Sequence, residues 1–231
     1  MLDLLMVLLL LAAAALWLGL HVGVAGTALR ERAVAALGGE GRFTLAFSAG
    51  SILAIALLVL AWREAPVIPL WEVPAWLRWL IAALMLPAAV LFVASLIAAN
   101  PTALGGRLPE GGPRGITRIT RHPMLWSFAI WAACHIAGNG DLAGLIFFGA
   151  FLLTALLGMP SIDRKLARRR PELWRDLAPA SSILPFAAIL AGRTRADWAG
   201  IGWLAPAVGG ALWLALLLLH RDIFGVPAIL W

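Results

Sequence analysis

The chain has 231 residues, 62% of them hydrophobic and 13% charged, with a mean hydropathy of +0.93. A soluble core of this length cannot hide that much apolar surface, so the composition excludes a water-soluble globular protein and marks an integral membrane protein. Eighteen Lys and Arg against 12 Asp and Glu give a formal charge of +6, yet no block is dense enough to track a nucleic-acid backbone and no nucleic-acid partner is expected.

Crossing the hydrocarbon core as a helix takes about 20 mostly apolar residues. Met1–Leu20 has the apolar run but neither a basic n-region nor a clean small-x-small cleavage site, so it reads as a retained first span. Clear stretches follow hydropathy at roughly Leu4–Val24, Thr44–Trp62, Ala75–Ala99, Leu142–Met159 and Trp203–Leu219, with Arg78 at a span end where it can snorkel. Between the third and the next of these lies Met124–Ala137, only about 14 residues, a length that spans a thinned region or continues upstream into Arg121-His122. Gly138-Asn139-Gly140 permits a tight reversal, and Asp141 can cap the following helix, which predicts an antiparallel hairpin. Asp163–Arg170 continues a helix beyond the span, and Pro171 suits the first turn of another, on which Leu173, Trp174 and Leu177 share a face, read as an interfacial helix. Trp62, Trp71, Trp76, Trp79, Trp174, Trp198 and Trp203 suit interfacial anchoring among 12 tryptophans. The expected fold is an all-α polytopic transmembrane bundle of about six spans, with a short fourth span and a helical loop before the last, forming one domain over residues 1–231.

Basic residues set the orientation, because cytoplasmic loops carry their excess. Arg30, Arg32 and Arg42 lie in the first loop; Arg107, Arg114, Arg118 and Arg121 in the third; eight more, from Arg164 to Arg195, in the fifth. Only Arg63, Arg78 and Arg221 fall on the other side, so both termini are expected outside the cytoplasm.

Four histidines and one thiol carry whatever chemistry the spans hold, since polar groups in an apolar segment are costly. His122 and His135 bracket the short span, roughly 20 Å apart along a straight helix. On the positive-inside layout His21 lies level with His122, and His135 with His220, so bringing His21 and His135 together needs the short span to be tilted or re-entrant, whereas His135 and His220 share a depth. Structural alternatives stand beside each: His135 can serve helix C-terminal carbonyls, His21 an interface, His122 the loop carbonyls at a span entrance, and His220, next to Arg221 and Asp222, a solvated boundary. Cys134, the only cysteine, forms no intramolecular disulfide and reads as a small buried filler.

Spread along the chain are His21-Val22-Gly23, Leu29-Arg30, Gly39-Glu40, Asn100-Pro101, Gly105-Gly106, the string Arg118-Ile119-Thr120-Arg121-His122-Pro123-Met124-Leu125-Trp126, then Trp131, His135, Gly138-Asn139-Gly140-Asp141-Leu142 and Ile162-Asp163-Arg164. Together they resemble the NnrU family of bacterial membrane proteins, itself similar to plant zeta-carotene isomerases. The resemblance implies a role in producing active nitrite and nitric oxide reductases during denitrification, by handling haem or electrons. Through the isomerases it also implies a haem b held by His21 and His135, with His135 and His220 as the alternative pair, and a haem-dependent cis-trans isomerisation of a carotenoid-like polyene if the chain is an enzyme. The isomerases carry a cysteine three residues before the second ligand, where this chain has Ala132. Cys134 is next to His135 and points about 100° away on a helix, so a ligand switch is not expected to transfer. Arg121-His122-Pro123 with Asp163-Arg164, Pro171, Trp174 and Leu184-Pro185 also resembles, more distantly, isoprenylcysteine carboxyl methyltransferases. That likeness makes Arg121 and His122 a possible secondary site and adds S-adenosylmethionine-dependent methyl transfer as a third function class, although Ile162-Asp163 replaces those enzymes' Glu-Glu pair and the chain has no tyrosine.

Overall fold

The computed structural model describes residues 1–102, 106 and 111–229; Gly105 and Arg107, singled out above, lie outside the described residues. Among the described residues every regular element is helical. In chain order these are α1 (Leu2–Leu18), a π-helical turn (Gly19–Val24), α2 (Leu29–Ala36), α3 (Glu40–Glu64), α4 (Ala75–Ile97) and α5 (Ile116–Ile119). Then come α6 (Pro123–Asn139), α7 (Leu142–Arg169), α8 (Pro171–Leu177), α9 (Ala187–Leu190), α10 (Trp198–Ile201) and α11 (Leu204–Phe224).

Five of these stretches are long and apolar enough to cross a membrane: Leu2–Val24, Glu40–Glu64, Ala75–Ile97, Leu142–Arg169 and Leu204–Phe224. They coincide with the five hydropathic stretches of the sequence. The short segment is a real helix, α6, lengthened to 17 residues because Pro123 opens it, where a missing N–H costs nothing. As expected, the helix after Leu142 runs past its span to Arg169 and Pro171 starts the next one. The fold is an all-α polytopic membrane bundle.

The chain divides into two compact units, Met1–Val73 with His135–Gly158, and Pro74–Cys134 with Met159–Trp231. In the first, α1 packs on α3 through Leu10, Ala13, Ala14, Ala54 and Leu58, all buried. Small side chains on both helices allow close approach, which matters in lipid because packing rather than water exclusion drives helix association. The α6–α7 turn follows its sequence signals: Gly140 takes φ +69°, and Asp141 Oδ1 accepts the Gly144 N–H at 2.7 Å. The extended segment before α4 is latched to that turn, with the Gly140 carbonyl accepting from Leu70 and Trp71 and the Ile68 carbonyl from Leu142. A Cβ at Gly140 would come within 2.5 Å of the Trp71 carbonyl, so backbone approach and positive φ both require glycine there.

In the second unit α4 lies along α11. Gly209 lets the Val90 backbone approach, and Trp213 Nε1 donates to the Ala82 carbonyl at 2.7 Å. Val93 and Ala94 of α4, Ile116 and Ile119 of α5 and Ala205 of α11 form a buried apolar cluster. The strip after α5 is pinned to the loop after α8: Phe186 N–H donates to the Ile119 carbonyl, Arg121 N–H to that of Ser182, and Thr120 Oγ to that of Ile183. Leu173, Trp174 and Leu177 do share a face of α8, but it turns into this unit: Leu177 is fully buried and Trp174 lies beneath Arg121.

Candidate functional site

His21 sits in the π-helical turn, where the hydrogen-bond ladder lengthens by one residue, as in Ala25 N–H to Leu20 carbonyl at 2.9 Å. Such turns reorient side chains and concentrate at functional positions. The His21 imidazole reaches back four residues: Nδ1–H donates to the Trp17 carbonyl at 3.0 Å. In the neutral ring this leaves the Nε2 lone pair available, and the Ser51 hydroxyl stands 3.5 Å from it. The ring stacks on Trp17 with centroids 3.8 Å apart and meets the edge of Phe47 at 5.3 Å. Trp17 is itself fixed by donation from Nε1 to Thr154 Oγ at 3.0 Å.

His135 belongs to the same unit, half-buried, its ring 4.8 Å from Phe148. Between the two imidazoles runs an unbroken series of ring contacts: Trp17 to Phe151 at 5.0 Å, Phe151 to Phe147 at 5.3 Å, and Phe147 to Phe148 at 4.9 Å. Trp62 stacks on Phe147 at 4.6 Å and widens that wall. The donor set suits a bis-imidazole haem in one respect that is directly visible. A metal-binding histidine fixes its tautomer by donating the other ring N–H to an oxygen, as His21 does through Nδ1. The aromatic wall also suits a flat apolar porphyrin. Among the described residues no group of three or more His, Cys, Asp or Glu is arranged to hold a bare metal ion.

The second unit brings together Arg121, His122 and Asp163. The Arg121 guanidinium donates through Nε and Nη2 to both carboxylate oxygens, at 2.6 to 3.0 Å, and His122 Nε2–H donates to Oδ1 at 2.8 Å. All three side chains are buried. Asp163 balances Arg121, and the His122 ring N–H adds a further donor to the same carboxylate, which helps keep a buried ion pair tolerable. Among the described residues His122 Nδ1 is buried with no hydrogen-bond partner. Arg121 also lies 5.2 Å above the Trp174 ring, a cation–π contact. His122 therefore serves a carboxylate, not the loop carbonyls its position at a span entrance led us to expect.

His220 lies in the second unit near the end of α11, its Nδ1–H donating to the Val226 carbonyl at 2.7 Å, and Cys134 is buried as expected of a filler. The methyltransferase likeness sets Asp163 in the same motif as Arg121 and His122, but the sequence does not mark it as their ion-pair and hydrogen-bond partner. The available signal was that Asp163 is the only acid between Leu142 and Arg170, since a lone carboxylate at the end of an apolar stretch needs a partner.

Five membrane-length helices, an imidazole pair within an aromatic unit and a buried Arg-His-Asp cluster in the other define a polytopic helical membrane protein. The family model described as NnrU protein matches residues 9–228, and the chain belongs to the NnrU family. It is 35% identical over 81 residues to the chloroplastic 15-cis-zeta-carotene isomerase of Zea mays, and 34% over 79 residues to that of Arabidopsis thaliana. These matches cover 35% and 34% of this chain but only 22% of either relative, so the chain spans about a fifth of the length of the curated relatives it matches. No solved structure is significantly similar.

Proposed function

We propose that this NnrU-family protein binds haem b in its first unit, where His21 and His135 would hold the iron, and acts in the bacterial cytoplasmic membrane as an accessory protein in producing active nitrite and nitric oxide reductases. The observation that carries the reading is the state of His21. Its Nδ1–H is committed to the Trp17 carbonyl, which in the neutral ring leaves Nε2 as the nitrogen with a lone pair to offer. That His21 and His135 belong to one compact unit supports choosing this pair over His135 with His220. When bound, the group would supply one-electron chemistry in a low-dielectric setting. The chain's part is positional: Trp17 holds the His21 ring plane by stacking, Ser51 stands at Nε2, and Phe47, Phe147, Phe148 and Phe151 keep water away.

The test is the absorption spectrum of detergent-purified protein made with ample haem, oxidised and reduced, for the native chain and for His21→Ala, His135→Ala and His220→Ala. The reading expects a Soret band lost in the first two variants and kept in the third. No band in the native protein would overturn haem binding, and a band lost in His220→Ala but kept in His21→Ala would move the ligand pair. Deletion in the source organism is expected to lower nitrite and nitric oxide reductase activities; unchanged activities would overturn the accessory role. A second reading, a haem-dependent isomerase of a carotenoid-like polyene, is favoured by the 35% identity to the maize isomerase. Expression in a strain accumulating a 15-cis polyene separates the two, because only the isomerase depletes that substrate.

A further inference from the structure

Within the second unit a cavity of about 340 Å³ opens beside the Arg-His-Asp cluster, lined among others by Arg121, Ser181, Ser182, Leu184 and Arg193. The charges on this notch are unequal in kind. Arg121 is matched by Asp163, whereas Arg193 has no carboxylate: its Nη1 donates to the carbonyls of Ala178, Pro179 and Ser181 at 2.8 to 3.1 Å. Among the described residues its Nε and Nη2 have no partner. Three carbonyls therefore hold the guanidinium in place while its other donors and its net charge stay available, an arrangement that selects an anion with several oxygens.

The chain that runs from the notch, beginning at its lining residue Leu184, is apolar and exposed. Leu184 is 60% exposed, Phe186 44% and Leu190 85%, all within seven residues of chain. Phe186 is also the one non-glycine residue at positive φ among the described residues, at 64°, locked by its N–H to the Ile119 carbonyl. Backbone strain kept at an exposed aromatic residue is characteristic of functional sites. A water-facing loop has no reason to display these three side chains together, whereas a loop lying against acyl chains has.

We infer that this notch is a specific site for the phosphate of a membrane phospholipid, bound by Arg193 with Arg121 behind it, while Leu184, Phe186 and Leu190 lie against the acyl chains. The site is independent of haem binding, and its ligand chemistry, a phosphate ester, would also admit free phosphate. The apolar chain running from the notch favours the lipid. Native mass spectrometry of the detergent-solubilised full chain, with dioleoyl phosphatidylglycerol or dioleoyl phosphatidylcholine added, reads it directly. Arg193→Gln is expected to weaken phosphatidylglycerol retention about fivefold, the equivalent of about 1 kcal/mol per basic residue near a headgroup. Leu190→Ser should weaken retention of both lipids, and inorganic phosphate at millimolar concentration should displace neither. Unchanged retention in Arg193→Gln overturns the site. Displacement by inorganic phosphate, with Leu190→Ser without effect, overturns the lipid as its occupant. Should Arg193→Gln lose the native elution profile, Arg193→Lys decides: it keeps the charge but not the fork that three carbonyls hold, so weaker phosphatidylglycerol retention is expected and retention equal to the native chain overturns the site.

Discussion

The two units solve the problem of polar groups in an apolar protein in opposite ways. In the first, neutral hydrogen-bonding partners stand around His21 among aromatic rings: His21 to a carbonyl, Trp17 to Thr154, Ser51 at the edge of hydrogen-bond distance. In the second, charge is concentrated: one carboxylate receives four contacts from a guanidinium and an imidazole, all buried. Neutral, lightly held groups can exchange partners at little cost, and so suit a ligand-binding role. A buried ion pair cannot lose a member cheaply, and so fixes geometry.

Substitutions should expose that contrast, the largest effect coming from the charged cluster. Asp163→Leu strands a buried guanidinium and removes the His122 acceptor, with an expected cost of about 3–5 kcal/mol in denaturant unfolding monitored in detergent. Arg121→Met combined with Asp163→Leu should recover most of that loss, since the stranded charge, not the missing pair, dominates the cost. If the double variant is as unstable as the single, the cluster is more than an ion pair.

A smaller effect belongs to Asp197, which caps α10 and ties it to the turn before α5. Its carboxylate accepts the Gly115 N–H at 2.8 Å and the Gly200 N–H at 2.9 Å. These two bonds, that from Gly115 first, hold the Asp197 carboxyl below the usual carboxylate range. With the folded-state value depressed, its stabilisation is complete above the unfolded value of about 3.9 and is lost as pH falls through the folded one. Asp197→Ala should cost about 1 kcal/mol at neutral pH, as for other N-caps, and less once acid has protonated the carboxyl in the folded state. A cost that does not shrink in acid would contradict the charge-assisted cap. The least effect is expected from Ser51→Ala in the first unit. Its 3.5 Å contact is so long that less than about 1 kcal/mol should be lost.

The spans were legible in sequence because the bilayer imposes a length and a composition that few other structures share. The cap at Asp141, the glycine turn and the start at Pro171 were legible because each is a local rule of backbone chemistry. The aromatic wall was not: Trp17 and Phe151 are far apart in the chain, and periodicity cannot say which apolar face meets which. The same holds for Arg121 and Asp163, 42 residues apart, although the isolated acid was a usable clue. The π-helical turn at His21 had no clear sequence marker, yet it is the local geometry accompanying the Trp17 contact of that imidazole.

The account rests most heavily on His21 and His135 as paired imidazole ligands. The most direct measurement is rescue: His21→Gly protein, purified with haem and titrated with free imidazole while the Soret and α/β bands are followed. The proposal predicts that His21→Gly loses the low-spin spectrum of the native chain and that imidazole restores it, with the same behaviour for His135→Gly. A native-like spectrum in His21→Gly without added imidazole would contradict it.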